Sequence, residues 1–301
     1  MPLALTAPAT LTGIGSVTGT RVADWADRIT DQLPEFPHVP ELPERGPGAD
    51  MIGRTLGLLS EVAPDFSAAT TVTGWELTPA SRDMRRARSL LREDLDAVEQ
   101  SWAGHTGMAK QQLAGPYTIA ASVERGGRRL LADPGLVRDL VAAWREMVAV
   151  HRGELARRLA ADWVVQMDEP SLPAVVAGSV KTISGMSAYP PVEPELDLGA
   201  DLIHSCAPGL PLRRMRSCGG VLFDVSLHDP DADEDLAELS TAGTVLGFGV
   251  SPVPGSVRSV LDFFDRTGLQ PVPMLITPPC GMVADYRPWR PLVEELNERL
   301  S

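Results

Sequence analysis

Cysteine is scarce in this 301-residue chain, which has only Cys206, Cys218 and Cys280. So small and odd a number gives no disulfide framework and fits a reducing compartment, where thiols act as metal ligands or small buried hydrophobes. Positive charge is also in deficit, with 27 Lys and Arg against 40 Asp and Glu and a formal net charge of −13. Binding a polyanion requires clustered Lys and Arg, so neither nucleic acid nor an anionic membrane is an expected partner. A run of about 18 uncharged apolar residues, the mark of a membrane-spanning helix, is missing. Residues 1–16 lack a basic leader and read as a loop entering a strand rather than a signal peptide. The expected location is therefore cytoplasmic. Internal repeats, low-complexity tracts and linker-like segments are lacking too, so a single domain over residues 1–301 is the simplest organisation.

What the chain does contain is a rhythm of apolar strand-like runs and amphipathic helical stretches. Strands are predicted at residues 11–15, 69–77, 110–113 with 117–120, 163–167, 202–203, 221–223, 245–248 and 274–277. Helices are predicted at 22–33, 51–62, 81–101, 134–159, 210–217, 233–240, 256–266 and 288–300. The helix at 134–159 has the clearest period, with Leu136, Leu140, Val141, Trp144, Val148 and Leu155 along one stripe. Asp133 and Pro134 mark its start. Residues 36–48 are too rich in Pro and Gly for regular structure and read as a loop, and 178–199 reads as an irregular, shortened crossover around Pro190 and Pro191. Eight strand candidates alternating with helices predict an α/β fold of the (β/α)8 TIM-barrel type.

In such a barrel the C-terminal ends of the strands meet at one face. Three short segments fall at those ends: His204-Ser205-Cys206, Leu222-Phe223-Asp224 and Pro279-Cys280-Gly281. Two thiols, an imidazole and a carboxylate form the ligand set of a four-coordinate zinc site, and the carboxylate could yield to an incoming substrate. Cys218 has no such placement and reads as a packing residue. Asp168 and Glu169 end another apolar run, where a carboxylate serves either a site or a helix N-terminus. Glu76 ends a further candidate strand. Gly15, between Ile14 and Ser16, would let a ligand approach the backbone closely, although a plain turn explains it as well.

Taken in order, Gly13-Ile14-Gly15-Ser16, Gly115-Pro116-Tyr117-Thr118, Gln166-Met167-Asp168-Glu169-Pro170, Ile203-His204-Ser205-Cys206, Gly249-Val250-Ser251-Pro252 and Pro279-Cys280-Gly281 resemble the cobalamin-independent methionine synthase family. The likeness is to its C-terminal catalytic barrel, in the short single-barrel form, and covers nearly the whole chain. It implies Zn2+ held by His204, Cys206 and Cys280, with Asp224 nearest to the family's fourth ligand, a Glu; His228 is the alternative. It further implies that Asp168, and Glu76 as a second carboxylate, contact the amino group of homocysteine. The backbone of Ile14, Gly15 and Ser16 would meet its carboxylate.

The activity implied is transfer of a methyl group to the homocysteine thiol, giving methionine without vitamin B12 as the enzyme's own cofactor. The family's catalytic His, which serves a folate leaving group, is replaced by Val250, and the family's long N-terminal half is missing. Both departures point away from polyglutamyl folate and toward another donor, such as a methylcorrinoid protein. Two other classes stay open: a non-catalytic paralogue that binds zinc or a thiol, and a decarboxylase of the same barrel superfamily.

Overall fold

The structure, a computed structural model, describes every residue except Met1, Pro2, Ala4 and Pro271. Three residues of the entry segment 1–16 therefore lie outside the described part.

Seven strands form one parallel, curled sheet. They are β1 (Ala9–Leu11), β4 (Met108–Ala114), β7 (Asp162–Asp168), β8 (Leu202–Ser205), β9 (Gly220–Asp224), β10 (Val245–Gly249) and β11 (Met274–Thr277). Their order is β1-β11-β10-β9-β8-β7-β4, so sequence neighbours are spatial neighbours from β7 to β11 and the first strand returns beside the last. Helices α1 (Val22–Gln32), α2 (Met51–Val62), α3 (Arg82–Ser101), α5 (Pro134–Arg158), α7 (Asp233–Thr241), α8 (Ser256–Thr267) and α9 (Arg290–Leu300) accompany them. The stripe expected on α5 is buried at Leu140, Val141, Trp144, Val148 and Leu155, and Asp133 caps the helix by accepting from the N–H groups of Gly135 and Leu136.

Strand alternation gives the sheet two different faces. Val165, Met167, Ile203, Val221, Phe223, Leu246, Phe248 and Ile276 belong to the main core with the helices. The enclosed face has its own small apolar cluster, Phe36, Val164, Leu202, Leu222 and Leu275. Two residues further along β7 and β8, the same face carries Gln166 and His204, both buried. The enclosed face thus changes from apolar to polar toward the strands' C-terminal ends.

Three local expectations are corrected. Residues 69–77 form an antiparallel hairpin, β2 (Ala68–Thr71) with β3 (Gly74–Leu77), rather than one strand of the large sheet. Val72 and Thr73 make the turn, and Gly74 follows at φ 138°, where a side chain would be strained. The hairpin joins a separate four-stranded sheet with β5 (Val123–Arg125) and β6 (Arg128–Arg129). Residues 117–120 are helical, in α4 (Pro116–Ser122), because Pro116 at the first turn is pre-set for helix and Glu169 caps it. Residues 210–217 hold only a 3-10 turn, Leu212–Arg214.

Residues 36–48 are the loop expected, with one 3-10 turn at Pro43–Arg45. This segment has no ladder strand, but part of it is held between β4 and the chain after β1. Lys110 N–H donates to Pro37 O (2.9 Å), Val39 N–H to Lys110 O (2.8 Å), Glu41 N–H to Gly15 O (3.1 Å) and Val17 N–H to Glu41 O (2.9 Å). The prolines limit the number of donors, so the pairing is discontinuous. The irregular crossover at 178–199 is also as expected: after the short α6 (Leu172–Val176) no helix or ladder strand intervenes before β8.

Candidate functional site

A cavity of about 240 Å³ opens where the strands end, lined by Ile14, Gly15, Ser16, Glu41, Asp168, His204, Cys206 and Cys280, with Met51, Pro170 and Met282 as apolar walls. Residues more than 260 positions apart in sequence meet here because parallel strands share one C-terminal edge. Gly15 (φ 142°) lies against Gln112; a Cβ there would collide with that side chain.

Asp168 is buried at the end of β7, and its Oδ1 accepts from Gln166 Nε2 (2.6 Å) and pairs with His204 Nδ1 (2.8 Å). Because the carboxylate only accepts, Nδ1 carries the proton and the lone pair of the ring sits on Nε2. The two acidic residues at this strand end have separate tasks. Glu169 turns to α4, accepting from Tyr117 N–H (2.9 Å), Thr118 N–H (2.8 Å) and Thr118 Oγ1 (2.7 Å). Complete burial lifts its carboxyl to about 7, against the pull of those hydrogen bonds.

Cys206 and Cys280 are close enough for one sulfur to hydrogen-bond the other. That bond lowers Cys280 to about 6, against the opposing effect of burial, while Cys206, the donor, is raised. One thiolate is thus easy to form and two are not, because the second would face the first.

The resemblance implies zinc, and three of the four expected ligands line this one cavity and have the donor chemistry zinc takes. His204 offers Nε2 with a carboxylate behind Nδ1, the usual support of a metal-bound imidazole. The two sulfurs are the soft donors zinc favours. Among the described residues, no group of three or more His, Cys, Asp or Glu is drawn together closely enough to hold an ion. Thiols that satisfy one another need not converge on a common point.

Asp224, the fourth expected ligand, is not brought to the cavity. It shares the inward parity of Leu222, but β9 ends there and the chain winds into a 3-10 turn. Asp224 Oδ1 caps that turn, accepting from Ser226 N–H (2.8 Å) and Oγ (2.6 Å). His228 is likewise elsewhere, with Nε2 at 2.6 Å from Asp233 and its ring tilted on Phe223. Glu76 sits half-buried on β3 in the smaller sheet, paired in register with Ala69 and Glu124, and does not line the cavity. Cys218 is buried in the main core, and burial pushes its thiol up to about 12. Val250 is also buried there, its carbonyl accepting from Trp289 Nε1 (2.7 Å).

The second carboxylate facing the cavity is Glu41, which sequence reasoning passed over because it lies in the Pro-rich segment read as a loop. Its Oε1 accepts from Ser16 Oγ (2.7 Å), and Oε2 lies 3.6 Å from Arg54 Nη1. Burial raises its carboxyl to about 7, partly offset by Arg54. Behind it the charges alternate: Arg54 Nη2 is 3.6 Å from Asp94, which is bound by Arg45 Nη2 at 2.6 and 2.7 Å. The signal available in sequence was the cluster Glu41, Glu44, Arg45 and Asp50 just before α2.

Compared with known proteins, the chain matches no family model and no curated protein.

Proposed function

We propose that the chain is a zinc-dependent S-methyltransferase that methylates the thiol of homocysteine to methionine, in the cytoplasm. In this reading the curled sheet closes as a (β/α)8 barrel, with residues 37–41 as the irregular stave between β1 and β4. The single observation that carries the reading is the meeting of Cys206, Cys280, the Asp168-supported His204 and the Ile14–Ser16 backbone in one cavity.

Bound zinc would supply Lewis acidity that keeps a substrate thiol deprotonated near neutral pH, where a free thiol of pKa ~8.5 is mostly protonated. His204, Cys206 and Cys280 would hold it. Asp168 fixes the His204 ring so that Nε2 faces the ligand position. Asp168 and Glu41 present carboxylates to an α-ammonium group, and Ser16 hydrogen-bonds Glu41 in place. Met51, Pro170 and Met282 offer an apolar wall to the methylene groups of the substrate. In the transfer, a sulfur lone pair forms the C–S bond as the bond from donor to methyl breaks, its electron pair staying with the donor. A corrinoid leaving group takes that pair without a proton, so the transfer needs no acid from the chain.

The test is zinc content by mass spectrometry, with X-ray absorption at the zinc edge before and after homocysteine. One zinc per chain that gains a sulfur ligand is expected. Cys206→Ser and Cys280→Ser should each lose the metal while keeping the wild-type fold by circular dichroism. A folded wild-type protein that takes up no zinc from a metal-buffered solution would overturn the reading.

A further inference from the structure

Beneath the cavity, Lys110 is fully buried on the enclosed face of β4. The chain has only two lysines, Lys110 and Lys181, among its 27 basic residues. Lys110 Nζ donates to two neutral oxygens, Gly13 O and Gln166 Oε1. Burial pushes its ammonium down to about 7, opposed by the charge of Asp168. A buried cation that lacks a directly bonded anion is costly, which raises the question of what it does.

The hydrogen bonds around Gln166 supply an answer through their polarity. Gln166 Nε2 lies against two acceptors, Ile14 O and Asp168 Oδ1, so the Gln166 atom that Lys110 meets is the carbonyl oxygen. Both N–H bonds of Gln166 Nε2 are then aimed the other way, one to Ile14 O (3.0 Å) and one to Asp168 Oδ1 (2.6 Å). Asp168 Oδ1 in turn accepts from His204 Nδ1 (2.8 Å). The chain runs in one sense from cation to anion: ammonium to amide oxygen, amide N–H to carboxylate, imidazole N–H to the same carboxylate. It is an ion pair spaced by an amide, and the amide also grips the carbonyl of Ile14. Lys110 itself grips the carbonyl before it.

We infer that Lys110 is a positioning residue for the site: through Gln166 it sets the orientation of Asp168 and the tautomer of His204, and through Gly13 the Ile14–Ser16 segment. The inference rests on the proposed roles of Asp168 and His204, but its first readout requires neither metal nor turnover.

The test is 15N imidazole NMR on the metal-free, full-length protein, with His204 assigned by difference from His204→Gln. In the wild type, His204 should hold one tautomer, protonated at Nδ1. Lys110→Met keeps the length of the side chain and removes the donor; His204 should then become a mixture of tautomers. Gln166→Met, which keeps Lys110 and cuts the link, should do the same. The second readout is zinc affinity by competition with a chelator, which should fall about 10- to 100-fold in both variants, the range for lost outer-shell support. A folded Lys110→Met protein with the wild-type tautomer and zinc affinity overturns the inference. If neither variant folds, the wild type decides: His204 protonated at Nε2 overturns it, and protonated at Nδ1 upholds the polarity of the chain. A wild type that binds no zinc but whose tautomer responds to Lys110→Met refutes the proposed function and leaves the positioning chain standing.

Discussion

Glu41 makes the energetics of the cavity measurable. Its carboxyl stands at about 7 in the fold against an ordinary 4.5, because burial disfavours the charged form more than Arg54 at 3.6 Å favours it. The folded state therefore holds this proton more tightly than the unfolded state. The stability it represents is complete below the unfolded value and is lost as pH rises through the folded one. Applying those two values, ionisation of Glu41 costs the fold about 2.5 kcal/mol more at pH 8 than at pH 5. Glu41→Gln imitates the protonated acid and has nothing to titrate. The stability difference between Glu41→Gln and the wild type should thus shift toward the variant by about 2.5 kcal/mol over that range. For a chain of 301 residues this is about 4 °C in melting temperature, taking ~2.1 cal/mol/K of unfolding entropy per residue. Differential scanning calorimetry of both proteins at several pH values measures it. Glu169, also at about 7, titrates in both and cancels in the comparison. Parallel melting curves across the range would refute the claim that Glu41 is a desolvated carboxyl.

Asp94→Asn takes a buried carboxylate from between the buried guanidinium groups of Arg45 and Arg54. It should cost about 3–5 kcal/mol in urea unfolding, as breaking a buried ion pair does, and a loss below about 1 kcal/mol would show that the network is not stabilising. Gly115→Ala would put a methyl group into the Glu169 carboxylate that caps α4. A loss of about 2–4 kcal/mol is expected from overpacking and the disturbed cap, and an unchanged thermal melt would place Glu169 elsewhere in solution. Cys206→Ser and Cys280→Ser test the metal reading, and Lys110→Met tests the chain beneath it.

Much of the fold was legible because its signals are local. The period of α5, its Asp133 and Pro134 start, and the short apolar runs of β7 to β11 depend only on neighbours in sequence. So did the interrupted crossover, where Gly and Pro exclude regular structure in any context. Residues 69–77 misled because β-rich composition identifies a strand but not the sheet it joins; the turn at Val72 and Thr73 sends it into the smaller sheet. Residues 117–120 misled because their apolar run suits helix or strand equally, and the deciding cap, Glu169, lies 51 residues away from Thr118. Asp224 has the residue type and strand-end position of a ligand, yet its own following turn offered a nearer hydrogen-bond donor in Ser226.

By itself the sequence determined which chemistry is available: two thiols and an imidazole near strand ends, a pair of adjacent acids after an apolar run, and a glycine between Ile14 and Ser16. These are properties of residue type and of short-range spacing. Only the tertiary structure decided how they are shared out. It sent Asp168 to His204 and Glu169 to a helix cap, brought Glu41 to the cavity in place of Glu76, and withheld Asp224. It also set Lys110 and Gln166 behind the site. The reason is that a buried polar group must find its partner wherever the packed chain supplies one, and such partners are set by strand register and burial rather than by distance along the sequence.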